Sequence, residues 1–131
     1  MTIDIPAPAD RLLDLPLYGA LGTVRPDGSP QVNPKWFLWD GEHVRFTHTT
    51  FRAKYRNLKA NPAMSFMLID PENPFKYLEL RGRLAEEIAD PEGAFYVTLQ
   101  NRYGNDSTRP PADRADRVIL KMSVEKVVHN Y

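Results

Sequence analysis

The chain has 131 residues, enough for one domain (residues 1–131) with a buried core. Its 17 basic and 17 acidic side chains cancel, which excludes a general polycation for nucleic acid and an acidic, tail-like protein. It has no cysteine, hence no disulfide framework, no thiolate nucleophile and no cysteine zinc site, and its 42% hydrophobic content argues against global disorder.

Met1 to Asp10 holds two acids, two prolines and no apolar run. It does not read as a signal peptide, and residues 1–9 are expected to be flexible. No stretch approaches the roughly 20 apolar residues that span a bilayer. The expectation is a cytoplasmic protein with no membrane contact.

Leu17 to Val24 is apolar and reads as a strand. Pro26-Asp27-Gly28 then supplies a turn, because proline presets φ and glycine accepts a positive φ. The chain resumes from Gln31 to Trp39, turns at Asp40-Gly41, and runs on from His43 to Thr49. Period-2 alternation places Val32, Pro34, Trp36 and Leu38 on the packed face of the second strand, opposite Gln31, Asn33 and Lys35. In the third strand Val44, Phe46 and His48 oppose Arg45, Thr47 and Thr49.

Arg52 to Asn61 reads as a short helix, with Phe51, Tyr55 and Leu58 toward the core and Asn61-Pro62 as its stop. Ala63 to Ile69 and Tyr77 to Glu87 are strands around the loop Asp70 to Pro74. Asp90-Pro91-Glu92 opens a second helix, which Gly104 ends. Residues 104–117 read as a mobile polar loop, and Val118 to Val128 as a last strand. The order of elements predicts a mainly β fold: about six antiparallel strands with short helices, closed as a small barrel.

The stretch from His43 to Asn61 contains Arg45, Arg52, Lys54, Arg56 and Lys59 and no acid. Arg52 and Lys54 stand at the start of the helix, where the macrodipole disfavours cations by a few tenths to ~1 kcal/mol each. An anion resolves that conflict, since the first N–H groups of a helix lack partners and bind phosphate readily. Thr49 and Thr50 add hydroxyls. The residues point to a phosphate site at Thr49, Thr50, Arg52 and Lys54; the competing reading is a solvated basic face that includes Arg56 and Lys59.

The run Thr49-Thr50-Phe51-Arg52-Ala53-Lys54-Tyr55-Arg56-Asn57-Leu58-Lys59-Ala60-Asn61-Pro62 resembles the signature of the pyridoxamine 5'-phosphate oxidase-like split β-barrel flavoproteins. It is most similar to the subfamily that uses the deazaflavin coenzyme F420, found mainly in actinobacteria. The first hairpin, Leu21 to Asn33, and Arg81-Gly82-Arg83-Leu84 share the likeness, which covers about residues 10 to 104.

The resemblance implies an FMN-binding-like split β-barrel, a homodimer, and a cofactor in the groove between two copies. It assigns cofactor contacts to Thr49, Thr50, Arg52, Ala53 and Lys54, and more loosely to Asn33, Lys35 and Trp36. Tyr77 and Leu78 match a strand position that approaches the ring system. Asn57 matches the motif or braces the helix. The chain lacks the C-terminal Arg-x-His segment of the pyridoxamine phosphate oxidases, and only Lys35 stands near the place where FMN-binding oxidases put an arginine. Both departures favour the deazaflavin.

His43, His48 and His129 have no metal-ligand spacing, so no metal is expected. His48 is the candidate for haem, a role known in related split barrels. Trp36, Trp39, Phe46 and Phe66 read as core or dimer interface. Aromatic interleaving is too thin for a nucleic-acid partner. The function expected is hydride transfer between deazaflavin F420 and an unsaturated small molecule, with no catalytic acid or base assigned beyond a guess at Tyr77. The alternatives are an FMN-binding flavoprotein and a non-catalytic F420 carrier.

Overall fold

The computed structural model describes residues 3–131. The elements run β1 (Gly19–Val24), β2 (Pro30–Lys35), β3 (Leu38–Trp39), β4 (His43–Thr49), α1 (Ala53–Ala60), β5 (Ala63–Ile69), β6 (Tyr77–Ala89), α2 (Ala94–Arg102) and β7 (Arg117–Asn130), with short 3-10 helices at Ala9–Asp14 and Arg114–Asp116. All seven strands join one sheet in the order β2-β1-β5-β6-β7-β4-β3, and every pairing is antiparallel.

The sheet curls on itself. Phe66 of β5, third in the sheet order, packs edge-on against Phe46 of β4, sixth in that order, with ring centroids 5.0 Å apart. Phe37 closes the same cluster at 5.1 Å from Phe66. Leu21, Leu68, Leu78, Leu80, Leu120 and Met122 fill the enclosed core from four strands. Among the described residues no ladder joins the two ends of the sheet; the Lys35 side chain of β2 reaches the Thr47 carbonyl of β4 at 2.8 Å instead. This is a barrel with a seam.

The fold is mainly β with few helices, as the strand patterns predict, but with seven strands instead of six. The expected strand Gln31–Trp39 is broken at Trp36 and Phe37. The Phe37 side chain is fully buried. Its backbone groups serve α2: its N–H donates to Tyr103 Oη at 3.1 Å, and its carbonyl accepts from Arg102 Nε at 3.0 Å. A residue bonded to a helix cannot also serve a ladder.

The expected facing of β2 is likewise corrected. Val32 is 66% exposed and Pro34 is also exposed, whereas Gln31 and Lys35 are half-buried. The period is right and the face reversed, because β2 is a sheet edge whose polar side meets the seam.

Phe51, expected in the core, is 54% exposed, because the chain is still in a turn there; Leu58 is buried and Tyr55 packs against the core as predicted. Helix α2 starts four residues after Asp90. Gly93 is the N-cap, so Pro91 and Glu92 precede the helix instead of opening it, but Asp90 still accepts from the N–H groups of Ala94 and Phe95, both at 3.0 Å. Between them Gly93 adopts φ 68°, a left-handed conformation that only glycine takes without strain.

β6 and β7 run longer than expected because they sustain one another from Tyr77↔Asn130 to Ala89↔Val118. A bulge at Arg81/Gly82 sits where a Cβ on Gly82 would stand 1.7 Å from the Ser123 carbonyl oxygen. Arg117, expected in the loop, opens β7. In the lead-in expected to be flexible, Ile5 packs on the core and Ala9 is fully buried. Among the described residues no helix is long and apolar enough to cross a membrane.

Candidate functional site

Helix α1 begins without any of the usual helix-start devices. Arg52 occupies its N-cap with extended backbone and no side-chain capping bond, and the first turn holds no acid. The first N–H groups are therefore left for solvent or a ligand. Lys54, in that same turn, is not a surface cation. It is 3% exposed, and its Nζ donates to Thr23 Oγ1 of β1 at 3.3 Å. Asn57 braces the helix by donating to Gln31 Oε1 of β2 at 3.0 Å.

These contacts set α1 across the seam and leave a cleft of about 500 Å³. Its walls bring together Gln31, Asn33, Pro34, Lys35 and Trp36 from β2 and its continuation, Arg52, Ala53 and Lys54 from α1, and Thr47, His48, Tyr18, Tyr96 and Arg117. Four of these are cations and none is an acid. The one acid paired to them stands behind: Asp113 accepts from Arg117 Nε at 3.0 Å. Of the five cations between His43 and Asn61, the structure takes Arg45 away to Asp40 (2.7 Å) and Lys59 to Glu87 (2.6 Å). Arg56 turns back to the Phe51 carbonyl at 2.9 Å. Only Arg52 and Lys54 of that run enter the cleft, and Lys35 and Arg117 replace the rest.

The electrostatics follow from burial and crowding. Burial pushes Lys35 down from 10.5 to about 7, and the charges of Arg117, Lys54 and Arg52 push the same way. Burial also lowers Lys54 to about 8, with Arg25 adding to it. Burial, then Lys35, Arg52, Lys54 and Arg117, hold His48 down at about 3, so this imidazole is neutral. Its Nδ1 lies 3.0 Å from Lys35 Nζ and accepts from it, so the ring proton is on Nε2. That Nε2 is buried with no partner, as is Thr49 Oγ1. Of these two, His48 belongs to the cleft lining, so its orphaned ring nitrogen among four cations suits a ligand there.

The aromatic side is equally ordered. Trp36 stacks on Tyr103 at 5.0 Å and 16°, with Tyr96 at 6.3 Å. Tyr103 Oη donates to the Leu17 carbonyl at 2.6 Å, which fixes the platform. Gln31, at the Lys54 end, and Lys35, at the aromatic end, are four residues apart on β2, about 13 Å in an extended strand.

Of the residues expected at a cofactor site, the structure gathers Asn33, Lys35, Trp36, Arg52, Ala53 and Lys54 into the cleft. Thr49 is fully buried, Thr50 is half-buried, and neither lines it. Tyr77 and Leu78 do not line it either, and Leu78 is sealed in the core. Trp36, expected in core or interface, is a wall. Tyr18, Gln31, Thr47, Tyr96 and Arg117 were not foreseen there. Among the described residues no cluster of His, Cys, Asp or Glu could hold a metal ion.

A seamed antiparallel barrel with a cationic, aromatic-walled cleft at the seam defines a split β-barrel protein whose cleft suits an anionic aromatic ligand. The chain belongs to the pyridoxamine 5'-phosphate oxidase family, whose family model matches residues 5–131. Among solved structures it is similar to an F420 reductase at 56% identity and TM-score 0.92, covering 95% of this chain and 98% of that one. It shares the fold of a conserved hypothetical protein from Mycobacterium tuberculosis (23% identity, TM-score 0.71, covering 97% and 87%). The same holds for HupZ from Group A Streptococcus (20% identity, TM-score 0.68, covering 96% and 94%). No curated protein matches the chain.

Proposed function

We propose that this protein is an F420-dependent oxidoreductase that passes a hydride from the reduced deazaflavin to an unsaturated small-molecule acceptor. The observation that carries the proposal is the acid-free cleft in which Lys35, Arg52, Lys54 and Arg117 face an aromatic platform. A phosphorylated tricyclic ring needs both features, and the cleft walls supply both. The 56% identity to a protein called an F420 reductase supports the deazaflavin over FMN.

Arg52, the free N–H groups of Ala53 and Lys54, and the Lys54 ammonium would hold the phosphate. Asn33, Lys35 and Trp36 would hold the remainder. When bound, the deazaflavin supplies the hydride, and the protein supplies placement and electrostatics. Lys35 and Arg117 add positive charge at the aromatic end, and the Trp36–Tyr103 stack excludes water from one side. Leu78 has no access to a ligand, and a role for Tyr77 requires a second copy of the chain. A homodimer in a cytoplasmic setting completes the proposal, without a nucleic-acid or membrane partner.

The test is a fluorescence titration of the purified protein with F420 and with FMN, followed by turnover on a panel of enones and quinones. F420 binding at low micromolar concentration with turnover supports the proposal. Tight binding without turnover of any acceptor makes the protein a carrier. Preference for FMN makes it an ordinary flavoprotein, and binding of neither sinks the cofactor reading.

A further inference from the structure

Arg117 is more than nine-tenths buried, at the first residue of β7, and it lines the cleft. Its guanidinium is held from three sides. Nε and Nη2 donate to the two carboxylate oxygens of Asp113 at 3.0 and 3.3 Å. Nη1 donates to Thr47 Oγ1 at 3.4 Å, and the group lies 4.6 Å from the Tyr96 ring centroid. A guanidinium has five N–H donors, so three are used and two remain. Buried donors without acceptors are costly, and the remaining two are on a group that borders the cleft.

Different anchors hold this arginine and the lysine of the helix start. Lys54 is anchored on Thr23, which pairs with Gln31 in the β1–β2 ladder. Arg117 is anchored on Thr47, whose carbonyl also holds Lys35, and on Tyr96, the neighbour of Trp36. It therefore borders the aromatic wall beside Lys35, while its backbone pairs with Thr49, which leads into α1.

Resting on the cofactor reading above, we propose that Arg117 is a second binding residue of the cleft, which together with Lys35 takes an electron-rich oxygen on the ring portion of the ligand. Asp113, in the segment between α2 and β7, is its positioning residue. The bidentate carboxylate fixes the plane of the fork and leaves the free N–H groups directed away from Asp113. The segment after α2 thereby becomes part of the ring subsite, although none of its residues needs to touch the ligand.

The experiment compares two fluorescent ligands, F420 and the deazaflavin ribityl nucleoside that lacks the phosphate, on wild type, Arg117→Gln, Arg52→Ala, Asp113→Asn and Asp113→Glu. Arg117→Gln is expected to weaken both ligands by the same factor, tenfold or more. Arg52→Ala is expected to weaken only the phosphorylated one. Asp113→Asn is expected to weaken both severalfold and Asp113→Glu to restore most of the loss, which a general loss of stability would not do. If Arg117→Gln fails to fold, the pair at Asp113, whose carboxylate is partly exposed, decides alone. Unchanged affinity in the folded variants overturns the inference, as does a loss confined to the phosphorylated ligand. Wild type that binds neither F420 nor FMN overturns the proposed function itself, whereas wild-type binding with an indifferent Arg117 overturns only this subsite.

Discussion

Lys54 gives the most demanding prediction, because its charge harms the fold. The side chain is 3% exposed, and its one bond is a 3.3 Å contact to a threonine hydroxyl. The drop from 10.5 to about 8 states what the charged form suffers in the folded chain. At 1.36 kcal/mol per pH unit, that is about 3 kcal/mol of instability at neutral pH. Lys54→Met keeps the aliphatic stem and removes the charge. Against the gain stands the loss of one weak bond, about 1 kcal/mol. The ligand-free variant should therefore be more stable than wild type by about 1–3 kcal/mol, a rise in Tm of roughly 5–10 °C for a chain of this size. Binding of a phosphate-bearing ligand should weaken by about 1–3 kcal/mol, the range for a charge-assisted bond. Denaturant melts at pH 7 and a binding titration read the two effects. A variant less stable than wild type, or one that binds equally well, would refute the reasoning that the cation is kept for an anion.

The pH dependence follows from the same residues. Lys35 and Lys54 have folded pKa values below their unfolded value of 10.5, so between about 7 and 10.5 the unfolded chain binds more protons. Their contribution to stability must therefore rise with pH across that window; melts of the ligand-free protein from pH 6.5 to 9 would show it, and subtraction of the same series on Lys54→Met leaves the share of Lys54. An anion entering the cleft restores the charged forms, so binding at pH 8 takes up protons. Calorimetry in two buffers of different ionisation heat should show net uptake that fades toward pH 6, and proton release would contradict it. Asp90→Ala should cost about 1–2 kcal/mol in chemical denaturation, since it strips the acceptor from the N–H groups of Ala94 and Phe95; a loss below about 0.3 kcal/mol would mean that Asp90 does not cap α2.

The strand and helix pattern was legible wherever one face of an element meets the core, as in Val44 and Phe46 of β4 or Leu78 and Leu80 of β6. It misled where tertiary partners override local pattern. The Gln31–Trp39 run looks continuous, yet Tyr103 and Arg102, far along the chain, take the backbone bonds of Phe37 and break it. The reversed face of β2 has the same origin, because period 2 identifies two faces and cannot say which one the seam will cover. The Arg52-Ala53-Lys54 start of α1 was legible because it violates a local rule, with cations at a helix N-terminus and no acid or cap. Arg117 was not legible. It ends a polar run of arginines and aspartates, and only the fold separates it from them by laying it against Thr47 and Tyr96.

The charge balance of the whole chain conceals the same conflict. Summed over 131 residues the charge is zero, and in sequence the excess is at 43–61. In space it belongs to another set, because Arg45 and Lys59 are neutralised by Asp40 and Glu87 while Lys35 and Arg117 arrive from other strands. A chain shaped for stability alone would have placed an acid among four such cations, as it did for the surface pairs. Here the carboxylate of Asp113 satisfies one arginine from behind, His48 is held neutral, and the front of the cleft is left positive. Local sequence conflict with global stability is expected where a binding partner supplies the missing interaction. In the proposed function the missing interaction is anionic at the start of α1 and electron-rich at the aromatic wall, and one ligand satisfies both.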